Sequence, residues 1–271
     1  MASPREGISS FTFDFNSTVG TIWMDDCGGC DQVVSQVCNQ GWRSYESPLP
    51  LLIARAISAR PTAFFDVGAN TGFYSLIAAN AGAVQVRAFE PVPEIADIMA
   101  ANLHHNYKDR LCSISMHRFA LSDKNGSAEL FIPKQRHGLV ETSCSLNPGF
   151  RVHKSGSIEV NIYRLDDYLI RNPLPDDLSL ILKLDVESHE PQVLQGSEDM
   201  LNQIRPIIFS EIFPGDELSF YYKWMEKHSY DHFTLSSPNR VVPCLEIDPR
   251  LDQTNHLFVP KESDVRSCFG L

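Results

Sequence analysis

The stretch Phe64-Phe65-Asp66-Val67-Gly68-Ala69-Asn70-Thr71-Gly72, followed by Phe89-Glu90-Pro91, constrains the fold more than any other part of the chain. An apolar run ends in an acid and enters a glycine-bearing turn. A helical pattern occupies 73–81, and a second apolar run over 84–89 ends in a second acid. This is a β-loop-α-β unit with a carboxylate at the tip of each strand. In an open α/β sheet, nucleotide-like ligands bind at such tips. Glu90 follows Asp66 by close to the ~20-residue interval at which these folds grip a ribose.

The loop selects among cofactors. A dinucleotide site would read G-x-G-x-x-G, with the pyrophosphate on the helix N-terminus. This loop reads D-x-G-x-N-x-G, lacks the Lys-Ser or Lys-Thr of a P-loop, and starts with an acid. S-adenosylmethionine fits it better. Asp66 would face the ammonium of the methionine end, and backbone N–H groups near Gly68 to Gly72 would receive its carboxylate. Glu90 would accept hydrogen bonds from both ribose hydroxyls, because an ionised carboxylate is acceptor-only. A glycine turn after a strand also occurs without any ligand; the second acid on the second tip is what favours a cofactor.

The remaining pattern extends this unit. Residues 9–24 read as a hairpin about Asn16-Ser17-Thr18, Asp31 as the cap of a helix reaching about Asn39, and Pro48 as the start of another helix. We therefore divide the chain into a cover segment, 1–60, laid over the cofactor site, and a Rossmann-like domain, 61–271. Helix 92–105, strand candidates 113–121, 128–132 and 158–163, and a long irregular loop over 133–156 follow. Residues 178–186 form a nearly continuous apolar run, the signature of a strand buried on both faces. A helix from Pro191 to about Leu201, a strand ending at Glu211 and a helix over 216–228 complete an alternation that implies a doubly wound, mostly parallel sheet.

Composition narrows the function. The net charge of −11 argues against nucleic acid as a partner. No apolar run reaches the ~18 residues of a membrane span, and Met1-Ala2-Ser3-Pro4-Arg5 lacks the apolar core of a secretory signal. Seven scattered cysteines read as reduced thiols, and the expected location is cytoplasmic. Cys27-Gly28-Gly29-Cys30 could be half of a zinc site or a redox pair, but no second C-x-x-C exists, and a Gly-Gly turn explains it. The sequence is compatible with a homodimer.

Lys183-Leu184-Asp185-Val186-Glu187-Ser188-His189-Glu190 is the second cluster of chemistry. It closes the most buried strand, where a cation and several anions require mutual pairing. An ion-pair network is one reading. A substrate site beside the cofactor is the other, with Asp185, Lys183, His189 and Glu211 as catalytic candidates and Glu187, Glu190 and His256 facing the acceptor. A hydroxyl acceptor needs a base. Alternatively Asp185 and Glu211 bind a divalent metal such as Mg²⁺ that acidifies the hydroxyl.

Several ordered blocks together resemble the FkbM family of S-adenosylmethionine-dependent methyltransferases. They are Tyr45-Glu46, the 65–72 loop, Phe89-Glu90-Pro91, Asn102-Leu103 with Asn106, and Ala120-Leu121-Ser122-Asp123. Arg164-Leu165-Asp166-Asp167, Leu182 to Glu187, Glu190, Val193-Leu194, Gly196, Arg205-Pro206 and Glu211 complete the series. The resemblance runs over 45–211, and more weakly to 260. It implies a class I methyltransferase fold and transfer to a hydroxyl of a small polar metabolite: a natural product, sugar or nucleoside-like compound. It implies cofactor contacts from Asp66, Gly68, Asn70, Gly72, Glu90 and Asp185, with Glu46 at the methionine end and Ala120 and Ser122 at the adenine. Where the family commonly has glycine, this chain has Ser188, so known acceptors transfer poorly. An N-methyltransferase acting on a small amine or guanidine, and a non-catalytic binding protein of the same fold, are the alternatives.

Overall fold

The computed structural model describes residues 7–106, 112–133, 143–150, 154–236, 240–244, 246–249 and 253–269. Strands β1 (Ile8–Phe15) and β2 (Thr18–Asp25) form the expected antiparallel hairpin. Helix α1 (Gln32–Gln40) starts at Asp31, whose Oδ1 accepts from Val34 N at 3.0 Å, as its cap position predicts. Helix α2 (Leu49–Ser58) begins with proline in its first turn and is buried along most of its length.

The next unit is the β-loop-α-β read from the sequence: β3 (Thr62–Val67), α3 (Phe73–Asn80) and β4 (Gln85–Phe89), then α4 (Pro93–Asn106) and β5 (Ser113–His117). The single strand expected over 113–121 is broken. Ala120–Leu121 leaves the main sheet as β6 and joins β7 (Gly126–Pro133) and β8 (Lys154–Tyr163) in a separate three-stranded sheet. Of the long loop over 133–156, residues 134–142 and 151–153 lie outside the described set.

Helix α5 (Leu165–Arg171) was not legible in the sequence. It leads to β9 (Ser179–Leu184). The helix expected over 191–201 is two short ones, α6 (Glu190–Gln195) and α7 (Glu198–Gln203). The break has a tertiary cause. A Cβ at Gly196 would stand 2.0 Å from the Ser122 carbonyl oxygen, and the carboxylate of Asp166 caps α7 through Asp199 N at 3.2 Å and Met200 N at 3.0 Å. Strand β10 (Ile207–Glu211), helix α8 (Leu218–His228) and strands β11 (Tyr230–Ser236), β12 (Arg240–Pro243) and β13 (Asn255–Pro260) finish the fold.

The eight-stranded sheet has the order β12-β11-β13-β10-β9-β3-β4-β5. Strands β10, β9, β3, β4 and β5 are parallel, whereas β13 runs antiparallel against β10 and β11. This is the doubly wound, mostly parallel α/β sheet implied by the class I resemblance. The chain winds outward from β3 in both directions, so the tips of β3, β4 and β9 border a topological switch point. β3 is buried at every position because helices cover both faces.

The hairpin and α1 are tied to the glycine loop by specific bonds. Thr71 Oγ1 donates to Asp31 Oδ2 at 3.1 Å. Asn102 on α4 bridges the two, donating to Thr71 O at 2.8 Å and accepting from Asp25 N at 2.7 Å. Trp42 is buried at 1% exposure against Phe13, with its indole N–H on Asp14. All seven cysteines are free. In the Cys27–Cys30 turn, Asp26 accepts from Gly28 N and Gly29 N, and burial with neighbouring acids pushes the Cys27 thiol up to about 11. The Gly-Gly turn read from the sequence is thus present. No helix among the described residues is long and apolar enough to cross a membrane.

Candidate active site

At the carboxyl ends of β3, β4, β9 and β10 lies a cavity of about 310 Å³. That is within the ~300–1,000 Å³ typical of small-ligand sites. Gly68 and Asn70 come from the β3 loop, Glu90, Pro91 and Val92 from the β4 tip, and Asp185, Val186, Glu187 and His189 from the β9 tip. Glu211 and Phe213 follow β10. Gln32 of α1 and Tyr45 and Glu46 of the α1–α2 connection join them, and the small sheet with its neighbouring loop adds Ala120, Leu121, Leu130, Ser143, Cys144 and Leu146.

The floor is set by close backbone approach. Gly68 has φ +78°, and a Cβ there would stand 1.8 Å from the Asp185 carbonyl oxygen. Gly68 N and Ala69 N both donate to Phe89 O, at 3.1 and 3.0 Å, and Asp185 N donates to Val67 O at 3.0 Å. Asn70 N donates to Glu90 Oε2 at 3.0 Å, Thr71 N to Asn70 Oδ1 at 2.7 Å, and Gly72 N to Ala69 O at 2.9 Å. Every backbone N–H of the loop from Gly68 to Gly72 thus has a partner within the protein, contrary to the expectation that these groups receive the methionine carboxylate. The donors left on the wall are side-chain amides. Asn70 keeps its amide nitrogen, since its Oδ1 accepts from Thr71 N, and Gln32 at the start of α1 brings another.

Glu90 is buried at 7% exposure yet lines the cavity. Its Oε2 accepts from Asn70 N and its Oε1 from Val92 N at 2.9 Å. Each carboxylate oxygen has room for a second hydrogen bond. Burial pushes its carboxyl up to about 7, against the lowering effect of those two N–H groups.

A dense ionic cluster stands beside Glu90. Lys183, 2% exposed, donates to Asp185 Oδ2 at 2.9 Å and lies over the Tyr74 ring at 4.5 Å. Tyr74 OH donates to Glu46 Oε2 at 2.6 Å. Burial alone would lower the lysine, but Asp185, Asp66 and Glu46 hold its ammonium above the ordinary lysine value. Burial would raise Asp185, and the Lys183 ammonium instead holds its carboxyl below the usual range. Glu211 follows the Ser210↔Leu184 register pair of β10 and β9, and so stands beside Asp185. Burial and the charges of Asp185, Glu46 and Glu187 push Glu211 far up, and it hydrogen-bonds to Asp185. Thr254 Oγ1 holds its other side, donating to Glu211 Oε1 at 2.8 Å. The two carboxyls stand at adjacent strand tips with their proton affinities pushed in opposite directions, Asp185 down by Lys183 and Glu211 up by burial.

Glu46, Gly68, Asn70, Glu90, Ala120, Asp185, Glu187, His189 and Glu211 all reach the cavity wall. Six other candidates do not. Asp66 is fully buried beneath it, accepting from Ser75 Oγ at 2.7 Å, where it answers the charge of Lys183. Lys183 acts from the same layer. Gly72, with φ +91°, starts α3 against Met99. Ser122 is 2% exposed, with its N–H on Tyr163 O and its hydroxyl between Asp123 and His189. Glu190 is fully buried behind the β9 tip, accepting from Val186 N at 2.8 Å. His256 sits on β13 opposite Ser210, one residue below the tip, with Nδ1 2.9 Å from His232 Nε2 on β11. Burial pulls it down to about 3, so it is a neutral packing residue. Ser188 has φ +66° after Glu187 at +58°, a left-handed conformation that glycine adopts without strain.

A metal on Asp185 and Glu211 does not fit this arrangement. The Lys183 ammonium already occupies one Asp185 oxygen, and among the described residues no group of three or more His, Cys, Asp or Glu side chains could hold an ion.

No curated protein sequence matches the chain. Solved structures similar to it include the methyltransferase FkbM from Methylobacillus flagellatus KT, at TM-score 0.47 and 14% identity, over 73% of this chain and 43% of that one. The chain therefore spans less than half the length of that relative. The SAM-dependent methyltransferase from Agrobacterium tumefaciens has TM-score 0.46 and 10% identity, over 96% of this chain and 72% of that one. The precorrin-6y C5,15-methyltransferase from Geobacter metallireducens GS-15 has TM-score 0.44 and 11% identity, over 79% and 88% respectively. The model of the methyltransferase FkbM domain matches residues 66–232, which is more than half of the chain, and the chain belongs to the FkbM methyltransferase family.

Proposed function

We propose that this protein is an S-adenosylmethionine-dependent O-methyltransferase acting on a hydroxyl of a small polar metabolite. The observation that carries the acceptor half is the Asp185–Glu211 pair at adjacent strand tips, backed by the Lys183 ammonium. When bound, the cofactor supplies a methyl group on a positively charged sulfur.

The residues present fit that cofactor. Glu90 offers acceptor capacity to two ribose hydroxyls at the β4 tip. Glu46 and Asp185 set negative charge beside the cavity for its ammonium and sulfonium, and the Asn70 and Gln32 amides are donors for its carboxylate. Asp66 and Lys183 act one layer deeper, fixing the charge and position of Asp185. Tyr45 and Glu46 enter from the cover segment and exclude water from the methionine end.

Asp185, held below the usual carboxylate range by Lys183, would accept the hydrogen bond of an acceptor hydroxyl, align its oxygen and take its proton. Glu211, pushed up by burial and by the charge of Asp185, hydrogen-bonds to that carboxylate and supports it. His189 is not the base proposed here: its Nε2 is engaged by Ser122, and its ring stands with the Ala120–Leu121 wall of the cavity. The Asp185→Asn variant is expected to lose roughly 10²–10³ of turnover, against a loss of about tenfold in affinity for S-adenosylhomocysteine, which keeps the ammonium but lacks the sulfonium charge. Full turnover in that variant would remove Asp185 from the chemistry. The assay is product detection from methyl-labelled cofactor over a panel of hydroxylated and amine metabolites.

A cationic amine acceptor is the second reading, favoured by one observation. The cavity wall carries Glu46, Glu90, Asp185, Glu187 and Glu211, and no Lys or Arg among the described residues. The chemical shift of the transferred methyl group separates O- from N-methyl product.

A further inference from the structure

Ser122 and His189 exchange the roles their sequence positions imply. Ser122 Oγ lies 3.1 Å from Asp123 Oδ1 and 2.9 Å from His189 Nε2. A hydroxyl has one proton, and a carboxylate can only accept. The Ser122 proton therefore goes to Asp123, and Ser122 Oγ must receive the His189 Nε2–H. An imidazole protonated at Nε2 has a lone pair at Nδ1. Burial keeps this ring neutral, pulling it down to about 4. The Ser122 N–H, a natural candidate for a base edge, is occupied by Tyr163 O at 2.9 Å.

His189 lines the cavity together with Ala120, Leu121, Val92 and Leu130. Val92, Ala120 and Leu130 belong to one apolar cluster, a surface suited to the face of a purine. A neutral acceptor on an apolar wall suits an exocyclic amine.

We propose that His189 reads the 6-amino group of the cofactor's adenine through Nδ1, with Ser122 and Asp123 as positioning residues that lock the ring's tautomer; this rests on the cofactor reading above. A 6-oxo purine presents an acceptor where the amine presents a donor, so two lone pairs would meet. Rescuing that contact would require the Ser122 proton to leave Asp123.

The test is calorimetric titration of the full chain with S-adenosylhomocysteine and with its 6-oxo counterpart, S-inosylhomocysteine. Wild type is expected to prefer the amino form by roughly tenfold, the worth of one buried hydrogen bond and its mismatch. His189→Phe keeps the ring area but loses the acceptor, and its two affinities should fall within about twofold of each other. Ser122→Ala frees the tautomer and should narrow the preference partway, an effect that a purely structural role would not produce. A preference unchanged in both variants, or equal affinities in wild type, overturns the proposal. If wild type binds neither compound, the cofactor reading itself fails.

Discussion

Replacing Gly68 by alanine should destabilise the protein by on the order of 4 kcal/mol or more and abolish cofactor binding. The added Cβ would stand 1.8 Å from the Asp185 carbonyl oxygen and 2.8 Å from its carbonyl carbon, both backbone atoms. Three strand tips meet there: Gly68 N and Ala69 N on Phe89 O, and Asp185 N on Val67 O. The Cβ can be accommodated only by parting β3 from β9, and that moves Asp185 away from Lys183. Gly82→Ala is the matched control. Gly82 has φ +104°, but a Cβ added there would meet nothing within 4 Å. It should show backbone strain alone, about 1 kcal/mol. Urea midpoints of the two variants separate close approach from strain. Similar losses in both would mean that the β3 loop and the β9 tip are not in the contact described.

Glu190→Gln should stabilise the ligand-free protein in alkaline solution and leave it nearly unchanged in acid. Glu190 is fully buried, one oxygen accepts from Val186 N, and the other has no hydrogen-bond partner among the described residues. Burial pushes its carboxyl up to about 8, against the lowering effect of the Val186 N–H. In the unfolded chain it titrates near the ordinary glutamate value of about 4.3. Between those two pH values the folded state binds more protons, so stability falls as pH rises through the window. Below it the group contributes no penalty, and above it the full penalty applies, about 5 kcal/mol. Glutamine keeps the acceptor for Val186 N, so the Asp185-Val186-Glu187 turn stays in place without a buried charge. Melting temperatures at pH 5 and pH 9 are the readout. An equal pH response in variant and wild type would show that Glu190 is ionised when folded, or that it is wetter than the structure has it.

The parts of the molecule that were legible in the sequence are those specified by local pattern. The 64–72 loop with Glu90 defined β3, α3 and β4 within a residue or two, and the apolar run around Leu182 gave the buried strand β9. Alternation then yielded the sheet class. What was not legible depends on contacts made by distant residues. The division of α6 from α7 is imposed by Ser122 against Gly196 and by Asp166 as a cap from α5. The strand expected over 113–121 divides because Ala120 and Leu121 pair with β8.

The site shows the same limit. Glu90 and Asp185 line the cavity, but motif position could not tell wall from foundation for Asp66, Lys183 or Glu190. Alternation predicts a face only while a strand continues, and β9 ends at Leu184. Gln32, Val92, Leu130, Leu146 and Phe213 went unread because no motif marks them; only the fold brings them together. His256 was misplaced because one residue of register on β13 separates a tip from a packed interior.

Calorimetric titration of S-adenosylhomocysteine against wild type and Glu90→Ala puts the cofactor site itself to the test. Wild type should bind one equivalent, more weakly below pH 7 than above it, because only the ionised carboxyl accepts both ribose hydroxyls and it titrates at about 7. Glu90→Ala should lose about 1–3 kcal/mol of affinity and most of that pH response. Equal affinity in both proteins, or no binding to wild type with the fold intact, would contradict the placement of the cofactor at the tips of β3, β4 and β9.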